Sequence, residues 1–405
     1  MYTLYSLTSG LHSEPVAEPA DERFIQDIEE ALGEAFEFGR TDFSEYSRTR
    51  NNIIYVRTGG TEGIFKSIFC KEGSLNIPDG MPVRLLTSGK SNSLAASMEI
   101  LSFLNRVGWP GEILHGSAEE IALRLRGGFT KGGKNHVKEY DMGRILEGYK
   151  VGVVGKPSDW LISSDVDYAV AKERLGVEIV DINELVGLAE EPDRKWLEGL
   201  KLNPPNKPKF GKSISGKDFS GSMDIYCAMK TLVERYGLAG VSLRCFDLLT
   251  ALGNTGCMAL AILNSQGVVA TCEGDIPTLL SMCIAHRKFG ISGFQANLSR
   301  IDGDKMLFAH CTVPLNMVEE YSYDTHFESG IGVAVHGVLP AGAARIFKLS
   351  PDCSEMFLED VEILENQYND CLCRTQILVD APGLADYFLR SPIGNHHVII
   401  PERRQ

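Results

Sequence analysis

Short apolar runs alternate with amphipathic stretches along most of the chain. Asn52-Ile53-Ile54-Tyr55-Val56 stops at Thr58-Gly59-Gly60-Thr61-Glu62-Gly63 and leads into a helical pattern. The run at 82–87 behaves the same way, followed by Ser88-Gly89-Lys90-Ser91-Asn92-Ser93 and a helix through Asn105. Gly152-Val153-Val154-Gly155 is a third case, with a helix over about 165–175 and a new strand at 177–182. This alternation predicts βαβ units whose parallel sheets carry ligand loops at the carboxyl ends of their strands.

The pattern breaks at Leu202-Asn203-Pro204-Pro205-Asn206-Lys207-Pro208-Lys209, where prolines and polar residues forbid either regular structure. A second α/β run follows, with helices at 223–236, 256–265 and 277–289 and strands at 240–244 and 267–273. Beyond about Pro314, alternating residues with glycine punctuation run through 330–335, 344–347 and 371–378, predicting a small antiparallel barrel or sandwich. The expected division is an α/β domain over 1–148, a second over 149–315 and an all-β domain over 316–405. A length of 405 residues agrees with two or three domains.

Composition narrows the function. A net charge of −14 argues against a nucleic-acid partner, and the basic stretches at 131–138 and Arg403-Arg404 are too short to reverse that. The start Met1-Tyr2-Thr3-Leu4 carries no basic region ahead of an apolar core, and no apolar run reaches the length of a membrane span. The ten cysteines fall mostly in apolar runs and form no C-x-x-C pair, as expected of buried thiols in a reducing compartment. The expected location is the cytoplasm.

Candidate chemistry begins at Thr271-Cys272-Glu273-Gly274-Asp275-Ile276-Pro277. Asp275 suits a helix N-cap, with Pro277 in the first turn. Glu273 is different: neither a cap nor a turn explains a carboxylate at the end of an apolar strand, which makes it a candidate ligand or base. Downstream, Asp302-Gly303 is a hairpin turn, and its return strand ends in His310, for which a plain core role is the simpler reading. His396 and His397 open the last strand, and because neighbouring strand residues point to opposite faces, at most one serves a given site. Together, a carboxylate, the carboxamide of Asn297 and imidazoles make a mixed O/N set suited to Mn²⁺ or Co²⁺. The Gly- and Ser-rich turns at 58–63 and 88–91 match neither a P-loop nor a full G-x-G-x-x-G, so they are read as turns or substrate contacts.

Four motifs carry a family likeness: Cys272-Glu273-Gly274-Asp275, Phe308-Ala309-His310-Cys311-Thr312-Val313-Pro314, His326-Phe327-Glu328-Ser329-Gly330, and Gly394-Asn395-His396-His397-Val398. In this order they resemble the L-fucose isomerase-like proteins of the L-fucose and L-arabinose isomerase superfamily, over roughly 145–400. The resemblance implies two Rossmann-like α/β domains followed by a β-barrel, a Mn²⁺ site near a subunit boundary, a homo-oligomer (trimer or hexamer) and aldose–ketose isomerisation of a small sugar through an enediol. It further implies Glu273 as ligand and base, His397 (or else His396) as the C-terminal histidine ligand and His310 as an additional one. Asp275 and His396 are then expected on the substrate side. The family's second acidic group falls on Asn297, whose amide oxygen can coordinate a metal but cannot act as a carboxylate base. That departure leaves open an epimerase or lyase of a sugar or sugar acid, or a sugar-binding protein without turnover.

Overall fold

The computed structural model describes residues 1–10, 18–48, 51–71, 74–78, 80–130, 132, 136–204 and 214–402. Most of the expected Pro-rich break, part of the 131–138 basic stretch and Arg403-Arg404 lie outside the described residues.

Two parallel sheets account for the α/β texture. In the first, the order is Glu37–Phe38, Thr3–Leu7, Asn52–Val56, Val83–Leu86 and Gly111–Leu114, every pairing parallel. In the second it is Glu178–Ile182, Lys150–Val154, Gly240–Leu243 and Val269–Cys272, again all parallel. The strands Asn52–Val56, Val83–Leu86, Gly240–Leu243 and Val269–Cys272 are buried at every position, the signature of strands covered on both faces. Helix Ile276–Phe289 illustrates how sequence fixes the boundaries. The Asp275 side chain accepts from Thr278 N, proline occupies the first turn, and Gly290 closes the helix at φ 73°.

The third layer is a closed antiparallel barrel of strands Phe294–Asp302, Lys305–His310, Thr375–Asp380, Glu355–Asn366, Gly342–Leu349 and His397–Pro401, with Val137–Glu139 added at its side. It starts well ahead of residue 316, so the expected boundary cuts through it. The hairpin at Asp302-Gly303 supplies two strands without which the ring would not close. Conversely, Ala334–Val338 pairs with Glu320–Asp324 in a separate hairpin outside the ring. Among the described residues, no helix is long and apolar enough to cross a membrane.

Candidate active site

Loops leaving the carboxyl ends of the parallel strands meet the barrel wall in one pocket. Gly59, Gly60 and Glu62 follow Asn52–Val56, Asn92 follows Val83–Leu86, Trp160 follows Lys150–Val154, Phe246 follows Gly240–Leu243, and Glu273 follows Val269–Cys272. Asn297, Asn395 and Glu328, the last from the loop of the separate hairpin, line the same pocket.

Glu273 is held in an uncommon conformation. Its φ of 66° lies in the left-handed region, which costs a non-glycine residue about 1 kcal/mol or more. Gly274 follows at φ 70°, and a Cβ there would lie 2.5 Å from the Lys156 carbonyl oxygen, so no other residue fits this close approach. Ser158 N donates to the Glu273 carbonyl at 2.9 Å, clamping the turn from the same side. The turn aims the Glu273 carboxylate inward, where Trp160 Nε1 donates to Oε2 at 2.6 Å. Its Oε1 lies 3.4 Å from His396 Nε2 and 4.0 Å from His310 Nε2.

Asp275 combines the expected cap with a second task. One oxygen accepts from Thr278 N at 2.8 Å while the other lies 2.8 Å from His396 Nδ1. An ionised carboxylate only accepts, so His396 Nδ1 carries the hydrogen and Nε2 is turned toward Glu273. The fully buried Lys348 balances Asp275, with Nζ 3.6 Å away and donating to Thr278 Oγ1 at 2.9 Å. Burial works against the charge of Asp275, but Lys348 and His396 outweigh it and hold its carboxyl well below the usual range. Burial likewise pulls His396 down, yet the acids on either side reverse this and push it up to about 10. Glu273 stays below the usual carboxylate range because His396, His310 and Trp160 outweigh its desolvation. Burial and the neighbouring His396 depress His310 to about 3. A proton on His396 therefore occupies the place that a cation between these groups would take.

The donor set fits a divalent cation. Glu273, His310 and His396 each offer one ligand atom, and these atoms lie within 4.8 Å of one another. His396 Nε2, His310 Nδ1 and Asn297 Oδ1 are buried without a hydrogen-bond partner. Such unpaired polar atoms are rare inside proteins and mark a missing partner. The Asp275–His396 contact has the form of a carboxylate that orients a metal-binding imidazole through its far nitrogen.

His397 is a correction. Expected as the ligand, it points to the other face of its strand. There its Nδ1 bonds to the Asn395 carbonyl at 2.9 Å and its Nε2 to Tyr387 Oη at 2.8 Å. Phe357, Tyr387 and Phe388 enclose the ring. With both nitrogens engaged, no lone pair is left for a cation, and the imidazole beside Glu273 belongs to His396. His396 and Asp275, expected on the substrate side, are both wholly buried. Asp302 stays at the hairpin turn.

Sequence reasoning passed over Glu62, Asn92, Trp160, Phe246 and Glu328 as site residues. Three of them lie in stretches it had singled out, the 58–63 and 88–93 turns and the His326–Gly330 motif, and only the fold shows that these converge. It also passed over Glu99, buried in helix Ser93–Arg106. Its carboxylate accepts from Ser163 N at 2.7 Å, Ser164 Oγ at 3.1 Å and Asn395 N at 3.0 Å, tying the loop that delivers His396 to the first sheet's helix.

Comparison with known proteins points to sugar isomerases. No protein-family model matches the chain. It is 24% identical over 273 residues to the sulfoquinovose isomerase of Priestia megaterium (strain ATCC 12872 / QMB1551), covering 64% of this chain and 59% of that one. The sulfoquinovose isomerase of Priestia aryabhattai aligns with the same values. That of Alkalicoccus urumqiensis is 22% identical over 227 residues, 54% of this chain and 49% of the relative. The chain thus spans about half to three fifths of the length of these relatives.

Proposed function

We propose that this protein is a divalent-metal-dependent sugar isomerase that interconverts an aldose and a ketose. The observation that carries the reading is the meeting of Glu273, His310 and His396, with the unpartnered Asn297 oxygen on the lining of the pocket that Glu273 also lines. The relatives named as sulfoquinovose isomerases support the reaction class, and the motif likeness to the L-fucose isomerase-like proteins supports the same chemistry.

Glu273, His310 and His396 would hold the ion, with Asn297 as a neutral oxygen donor, and the mixed O/N set favours Mn²⁺. Bound there, the ion would act as a Lewis acid on a sugar's carbonyl and neighbouring hydroxyl, acidifying the C–H bond between them. Glu273, kept ionised by its neighbours, is the base that receives that hydrogen and returns it to the adjoining carbon. Asp275 and Lys348 fix the tautomer and direction of His396. Gly59, Gly60 and Trp160 line the pocket beside them.

The carboxyl side chains on the pocket lining are Glu62, Glu273 and Glu328, and Glu273 is the one held below the usual carboxylate range, so a sulfonated sugar has to carry its anion away from Glu273. Substrate tests therefore pair sulfoquinovose with neutral aldoses. We further propose a homo-oligomer in the cytoplasm, on the motif likeness and the buried free thiols. The amide at Asn297 supports a second reading, an epimerase or lyase on the same pocket. Incubation with Mn²⁺ and a sugar panel in D₂O separates them. Isomerisation yields the ketose with deuterium gained at C1, epimerisation yields a second aldose, and the absence of any exchange refutes the enzymatic reading.

A further inference from the structure

With an amide at Asn297, Glu273 is, among the described residues, the one carboxylate in the Glu273–His310–His396 cluster, while isomerisation moves two hydrogens: one between carbons and one between oxygens. A single fixed base serves the first transfer. The second needs a group on the oxygen side able both to give and to take a proton.

We propose that Glu328 is that group, acting on the substrate oxygens from the pocket lining it shares with Glu273. The inference rests on the isomerase reading above. Its loop is internally rigid: His326 N donates to the Ile331 carbonyl at 3.0 Å, Gly330 N to the His326 carbonyl at 2.9 Å, and His326 Nδ1 meets Ser329 Oγ at 3.0 Å. Arg374 Nε ties the preceding Thr325 carbonyl at 2.8 Å, and the His326 ring packs on Phe246. Asn92 Nδ2 then donates to one Glu328 oxygen at 2.9 Å, bridging this loop to the first α/β sheet and leaving the other oxygen for the pocket. Asn92 adopts φ 58°, directly after Ser91 at φ 50°, so backbone strain is spent on placing this amide. Unpartnered acceptors on the same lining, Asn92 Oδ1, Asn297 Oδ1, Asn395 Oδ1 and Glu62 Oε2, await hydroxyl donors of a polyol or a cation. Burial and the charge of Glu273 lift Glu328 to about 7, whereas the more deeply buried Glu62 is pushed well above its ordinary value and gives up a proton less readily.

The transfers balance. Glu273 takes the hydrogen from C2, the C2–H electron pair forms the C1–C2 double bond, and O1 receives the proton of the Glu328 carboxyl. In the return half, the O2 hydroxyl proton passes to Glu328 as C2–O2 becomes a carbonyl, and Glu273 delivers its hydrogen to C1. Both acids end as they began.

The test uses the whole Mn²⁺-loaded protein and an aldose turned over by the wild type. Glu328→Gln keeps the bond from Asn92 and is expected to lower kcat about 100-fold or more, with KM within about threefold. Mn²⁺ per chain and melting temperature stay at the wild-type values. Glu62→Gln is the comparator and loses less than Glu328→Gln. Asn92→Ala, which frees the anchored oxygen, lowers kcat about tenfold and guards against a folding defect in the first variant. A folded Glu328→Gln with kcat within about threefold of wild type overturns the proposal, as does loss of Mn²⁺ from it or a larger loss in Glu62→Gln. A wild type that neither isomerises nor exchanges any sugar refutes the isomerase reading itself, a different result from an active wild type alongside an equally active Glu328→Gln.

Discussion

Asp275→Asn isolates the role of the group behind His396. The wild-type carboxylate has three partners: Thr278 N at 2.8 Å, His396 Nδ1 at 2.8 Å and Lys348 Nζ at 3.6 Å. An asparagine oxygen can still accept from Thr278 N, so the helix cap survives. Its amide nitrogen would then face the N–H of His396, a donor against a donor, and the ring loses both its tautomer and its direction. Loss of such an orienting carboxylate costs about 10- to 100-fold in metal affinity, or about 1.4 to 2.7 kcal/mol. A second cost falls on stability, because the wholly buried Lys348 ammonium loses its counter-charge, worth about 3 kcal/mol. The two costs separate in the double variant Asp275→Asn/Lys348→Met, which removes the stranded charge and regains most of the stability while metal affinity stays low. Calorimetric titration with Mn²⁺ measures the first and urea denaturation of the metal-free protein the second. Wild-type Mn²⁺ affinity in a folded Asp275→Asn would refute the reasoning, as would recovery of both quantities together in the double variant.

Two further substitutions test other parts of the account. His397→Phe is expected to leave Mn²⁺ stoichiometry unchanged while lowering stability by about 1–2 kcal/mol through the lost Tyr387 bond, read by titration and denaturation. A fall in bound Mn²⁺ would restore His397 as the ligand. Glu99→Gln replaces one acceptor oxygen with an amide donor that faces the N–H of Ser163 or Asn395 and is expected to cost about 1–3 kcal/mol, with kcat falling because Asn395 and His396 share the loop. Unchanged melting temperature and kcat would remove Glu99 from the positioning of His396.

Much of the fold was legible because apolar runs and helix boundaries are local properties. The strand Asn52–Val56, the cap at Asp275 and the hairpin at Asp302-Gly303 can all be read from a few neighbouring residues. The barrel boundary could not be, since closure depends on Phe294–Asp302 meeting His397–Pro401 about a hundred residues later. The site shows the same divide. Glu273 stood out as an acid with no local purpose, and alternation along a strand requires His396 and His397 to face opposite ways. Which of the two faces inward depends on the register with Ala296, a long-range fact. Glu62, Asn92 and Glu328 came from three separated turns, whose meeting is a consequence of topology alone.

The central claim is that one cation binds among Glu273, His310 and His396. Anomalous diffraction from crystals grown with Mn²⁺ tests it most directly. A single strong peak is expected in the pocket within coordination distance of Glu273, His310 and His396 Nε2, and none beside His397. A peak elsewhere, or an empty pocket at saturating Mn²⁺, would contradict it.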